Sequence, residues 1–148
     1  MKRFHFDLEK IHALRLNRER EAELELGKAI GALVELENRI KRLAEEKIIA
    51  AAGRFGKTHG MTEILSYDNY ILRLDKTKEM LVAAAAKAEL VVETARAAYL
   101  EASRERKVFD KLKERRRREY NKLVLAEEVK MLDDISGGSA ARKALNTA

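Results

Sequence analysis

The residues of this chain best suited to chemistry are a Gly-Lys-Thr triplet, three histidines, many alternating carboxylates and a run of arginines. Gly56-Lys57-Thr58 matches the end of a phosphate-binding P-loop. That motif needs another glycine five residues before Gly56, where Ala51 stands, and a strand and sheet to hold it. The triplet is therefore read as the tip of a turn. His5, His12 and His59 are too scattered for a zinc triad, because His5 and His12 share a helix face only as i and i+7 and no third ligand matches them. No metal site is expected. The carboxylates alternate with cations, as Glu19, Glu21 and Glu23 do beside Arg18 and Arg20, which is the pattern of a solvated helix face. The reading is of a protein that is not an enzyme, with no catalytic residue, no cofactor and no small-molecule substrate.

The arginines Arg115, Arg116, Arg117 and Arg118, flanked by Lys111 and Lys122, carry the remaining chemistry. Residues 104–123 hold ten basic and four acidic side chains, so this one stretch accounts for the whole net charge of +6. A basic helix can follow a phosphate backbone, lie on anionic lipid or meet an acidic protein surface. Glu105, Asp110, Glu114 and Glu119 punctuate the run, which disfavours nucleic acid. Lys113 and Arg116 interrupt the apolar face that lipid would require. A protein partner fits the residues best, with a nucleic-acid-binding coiled coil as the alternative.

What must position these residues is helix. The 148 residues are 46% hydrophobic but only 5% aromatic and 38% charged, with no proline and seven glycines to make turns. The absence of cysteine excludes disulfides and thiol chemistry. Asp7 and Glu9 interrupt the start of the chain after Met1, Lys2 and Arg3, leaving no readable signal peptide. The longest apolar run, Leu81 to Ala86, is far short of a membrane span. A cytoplasmic location follows as the expectation.

A 4-3 spaced stripe runs through Phe4, Leu8, Ile11, Arg15, Arg18, Ala22, Leu26, Ala29, Leu33, Leu36, Ile40, Leu43 and Lys47, with an apparent stutter between Ala22 and Leu26. A second begins at Ile64, Tyr67, Ile71 and Leu74 and continues to Tyr120 and Leu123. Between them lies the glycine cluster of residues 53–60. The spacing predicts an all-α fold: a long antiparallel two-helix coiled-coil hairpin over residues 1–136. Helix one covers about 4–52, the connection about 53–61, and helix two about 62–136 with Thr62 as its N-cap; residues 137–148 are a flexible tail. Folding about residues 57–58 sets residue i opposite about 115 minus i. That register leaves helix two overhanging from about residue 112, so that the basic stretch projects. It also brings Gly27 and Gly31 close to Ala88 and Ala84. A monomer is expected.

The opening residues 1–14, the Tyr67-Asp68-Asn69-Tyr70-Ile71 start of helix two with Leu74 following, and the late segment from Lys111-Leu112-Lys113-Glu114-Arg115 through Glu119, Glu128, Lys130, Asp133 and Asp134 resemble the FliJ family. That family is a coiled-coil component of the bacterial flagellar type III export apparatus. The resemblance departs at Val129 and Asp134, and at Glu46 and Ala50 where the family often has aromatics. It implies a stalk or adaptor that binds the export ATPase FliI and the export gate protein FlhA and assists chaperones of export substrates, peripherally at the cytoplasmic side of the membrane. The ATPase contact is expected at Lys111, Arg115, Arg116, Arg117, Arg118 and Lys122, and the gate contact at positions matching Leu43, Tyr70 and Leu74.

Overall fold

In the computed structural model, which describes residues 3–147, the chain forms two helices, α1 (Glu9–Phe55) and α2 (Met61–Asn146). Met1 and Lys2, with which the signal-peptide reading began, lie outside the described residues. The chain divides into two compact units, one of residues 1–17 with 103–148 and the other of residues 18–102. In each, α1 and α2 pair antiparallel, as the stripes predict for a two-helix hairpin.

In the unit of residues 18–102 the α1 seam is Ala22, Leu26, Ala29, Leu33, Leu36, Ile40, Leu43, Lys47 and Ala50, all less exposed than their neighbours. Facing side chains include Leu74, Ala85 and Val92, which are buried. Glu19, also buried, extends this seam upstream at the same spacing. Lys47 bonds Asp75 at 2.6 Å, and Arg54 reaches Asp68 at 2.6 Å. Both pairs have residue numbers that add to 122.

In the other unit the numbers add to the same value, through Glu9–Lys113 at 2.7 Å and His12–Asp110 at 2.5 Å, with Arg15 paired to Glu105 close by. The register is thus displaced by one heptad from the expectation. At the expected register Arg54 would meet Met61 and Arg15 would meet Leu100, whereas a heptad shift keeps the apolar stripes facing and gives both arginines a carboxylate. The cause lies in the connection. Residues 56–60 run on past the end of α1 before α2 starts, so the first turns of α2 stand beyond α1.

Three boundaries differ from the sequence reading. The start of α1 falls at Glu9 rather than about residue 4, because the preceding chain is non-helical. Residues two apart share a side only in extended chain, and that lets Phe4 stack on Tyr120 at 5.6 Å while Phe6 is buried. At α2 the capping carbonyl is that of Gly60, which accepts from Glu63 and Ile64, and Thr62 lies inside the helix. Beyond residue 136, α2 continues to Asn146. Neither Gly137 nor Gly138 takes the positive φ of a helix C-cap, and the alanine-rich residues after them favour helix.

Gly56 ends α1. A Cβ there would stand 2.8 Å from the Ala52 carbonyl oxygen, so a side chain is excluded. Gly27 and Gly31, expected at the closest helix approach, instead face open space, since the seam passes through Leu26, Ala29 and Leu33. Gly27→Ala and Gly31→Ala should each raise stability by about 0.5–1 kcal/mol through helix propensity alone. A fall in the thermal midpoint of either variant would contradict the open environment.

Candidate functional site

The basic run sits in the unit of residues 1–17 and 103–148. Lys111, Arg115, Arg116, Arg117, Arg118 and Lys122 are all exposed. Facing the chain before Glu9, the first residue of α1, those from Arg115 on project beyond that helix as expected, but not beyond the chain. Lys113 is opposite Glu9, and Tyr120 is covered by Phe4, so the run lies alongside the N-terminal segment. Several of its charges have partners on α2 itself: Arg115 bonds Glu119 at 3.2 Å, Arg116 stands 3.6 Å from the same carboxyl group, and Arg118 pairs with Glu114. These are i,i+3 and i,i+4 pairs on an exposed surface, each worth only a few tenths of a kcal/mol. A stronger acidic partner could displace them at small cost. Arg116 leans toward the cleft lined by Phe4, Leu8, Leu112 and Tyr120, while its neighbours in the run are not among that cleft's lining residues.

Nearer the start of α1, Lys113 donates a hydrogen bond to Glu9 that holds its carboxyl below the ordinary range. His12 and Arg106 converge on the two oxygens of Asp110. Ion pairs crowd this seam more closely than the other unit's, where Leu74, Ala85 and Val92 are buried.

The residues matched to a gate contact occupy two settings within the unit of residues 18–102. Leu43 and Leu74 line one cleft with Ala44, Lys47 and Ala51, and Leu74 is buried. Tyr70 is 39% exposed and belongs to a different cleft at the tip, together with Lys57, His59, Glu63 and Tyr67.

The tip holds a residue whose role sequence reasoning missed. The Nε2 of His59 lies 2.7 Å from the Gly53 carbonyl oxygen, and its Nδ1 lies 2.8 Å from the Glu63 carboxylate. Both oxygens accept, so the two bonds form together only when both ring nitrogens carry a proton. The bond to Gly53 and then that to Glu63 raise its pKa from the ordinary value of 6.5, against an opposing contribution from burial. The ring also packs on Tyr67 at 5.4 Å. The i,i+4 spacing of His59 and Glu63 is the signal that could have found this clamp. Its folded-state pKa is raised, so its contribution to stability is complete below pH 6.5 and disappears as pH rises through the elevated value. Amide exchange over residues 53–60 should therefore accelerate, beyond the intrinsic base-catalysed rate, as pH rises above 6.5. That excess should vanish in His59→Gln; an excess that persists in the variant would assign the effect to another group.

Among the described residues no cluster of His, Asp or Glu could hold a metal ion, and no helix is long and apolar enough to cross a membrane. The fold and these surfaces define a coiled-coil protein that offers other molecules helix faces and a polar tip. A family model described as Flagellar FliJ protein matches residues 4–145, nearly the whole chain, and the chain belongs to that family of flagellar export apparatus proteins. Comparison with curated proteins and comparison with solved structures each return no match.

Proposed function

We propose that this chain is a non-enzymatic adaptor of the flagellar export apparatus, joining the export ATPase FliI to the export gate protein FlhA at the cytoplasmic side of the membrane. Chaperones of export substrates are further partners in this reading. Family membership supports the apparatus, and the observation that carries the ATPase contact is the row of exposed cations on α2. Among the described residues, Arg115, Arg117 and Arg118 have only neighbouring carboxylates of their own helix or solvent to face. Against an acidic surface each would gain a charge-assisted contact of about 1 kcal/mol when partly exposed. Tyr70, at the tip and outside the seam, is the residue of the gate trio free to meet a partner without opening the coil.

The test is a double charge reversal, Arg117→Glu with Arg118→Glu. It should abolish stimulation of ATP hydrolysis by the purified ATPase while leaving helix content and thermal unfolding nearly unchanged. Stimulation that survives the reversal removes this face from the ATPase contact. Salt-sensitive nucleic-acid binding lost in the same variant would favour the alternative of a nucleic-acid-binding coil.

A further inference from the structure

The part of α2 that outlasts α1 carries a face suited to its own copy. Beyond Tyr120, which Phe4 covers, Val124 is half-buried and every described residue after it is exposed. A 4-3 spaced set, out of step with the seam that reaches Tyr120, runs on through Val124, Glu128, Met131, Ile135, Gly138, Arg142 and Leu145. Ile135, Gly138 and Arg142 line one shallow cleft, so they share a face. Met131, Ile135 and Leu145 are 67%, 69% and 77% exposed, a run of large apolar side chains on a helix with no partner among the described residues.

We propose that this end of α2 pairs antiparallel with the same segment of a second copy, about a two-fold axis at Ile135. Three observations select that partner and direction. The free seam runs from Val124 to Asn146, and its middle residue is Ile135, so an antiparallel copy centred there covers the whole segment and stops short of Tyr120. The same axis sets residue i opposite 270 minus i, which brings Glu128 against Arg142 on both sides of the axis. It also sets Met131 opposite Ser139, next to Gly138, where nothing lies within 4 Å of the position a Cβ would take. A parallel pair would instead oppose Glu128 to Glu128 and Arg142 to Arg142, and would stack glycine on glycine. The contact is isologous and closes on itself, giving a dimer and not a filament.

Sedimentation of the full chain between about 10 µM and about 1 mM tests the pairing. The expected result is a reversible shift from one chain toward two; a single-chain mass throughout would overturn it. Glu128→Arg and Arg142→Glu should each weaken association by about tenfold, since each breaks two symmetric pairs. Combining them should restore it to within about twofold, and a double variant weaker than either single one would refute the antiparallel arrangement. Because the chain has no cysteine, crosslinks report added thiols alone. Val124→Cys mixed with Asn146→Cys should form a mixed disulfide, whereas disulfides in Val124→Cys alone would mean a parallel pair. Circular dichroism of each variant checks that the segment remains helical.

Discussion

Phe6→Ala should cost about 3 kcal/mol at the end of the coil where the N-terminal segment meets α2, and most of that loss should appear as local opening. Phe6 is 6% exposed and, among the described residues of the unit of residues 1–17 and 103–148, is the apolar side chain that is buried. The rest of that seam combines half-buried Leu8, Phe109 and Leu112 with the ion pairs Glu9–Lys113, His12–Asp110 and Arg15–Glu105. Ion pairs open to solvent on at least one side contribute about 1 kcal/mol each, less than the aromatic. Its ring also lies 6.0 Å from the Lys113 ammonium, adding a weak cation–π attraction. Amide exchange over residues 9–17 should accelerate by about two orders of magnitude, with far less change over residues 26–50. Equal protection in the variant would mean that the ion pairs hold this end. Raising the salt concentration in the wild-type protein then separates the two contributions, since screening touches only the charges.

The stripe of α2 was legible because its seam is apolar at Ile64, Ile71, Leu74, Leu81 and Val92, and that of α1 from Ala22 onward for the same reason. Upstream, counting 4-3 steps from Phe4 through Ile11 selects Arg18 and requires a stutter. The structure puts His12 and Glu19 in the seam, and with them the 4-3 spacing from Leu8 to Ala50 is unbroken. Ile11, at 41% exposure, faces out. A pattern of apolar residues cannot reveal a seam that is polar. Register was illegible for a different reason. A heptad repeat is nearly unchanged by a shift of seven residues, so the stripes alone admit several pairings. What separates them is the set of opposed charges and the climb of residues 56–60, and a sequence states the length of a connection without its path. The basic run itself was plain from composition. Its setting was not, because that depended on the register, and the clamp at His59 depended on the path of the connection.

Leu74→Ala should lower stability by about 3 kcal/mol, while Tyr70→Ala, four residues away on the same helix, should lower it by less than about 1 kcal/mol. Leu74 is 7% exposed and packs in the cleft it shares with Leu43, so truncation leaves a void between helices that have few other buried side chains to close on it. Tyr70 keeps 39% of its surface in solvent and loses little by truncation. This difference decides how a loss of gate binding should be interpreted. If Tyr70 contacts the gate directly, Tyr70→Ala weakens binding at unchanged helicity and an unchanged urea midpoint. For Leu74→Ala, weaker binding is the expected result of a loosened coil, and Leu74→Met, which nearly conserves volume, should recover both stability and binding. Binding that stays weak in Leu74→Met, with the urea midpoint restored, would instead mean that the gate reads the leucine itself. Binding that survives Tyr70→Ala would remove the exposed flank of the tip from the gate contact and leave the basic face of α2 as the only one of the two surfaces still proposed to meet the export apparatus.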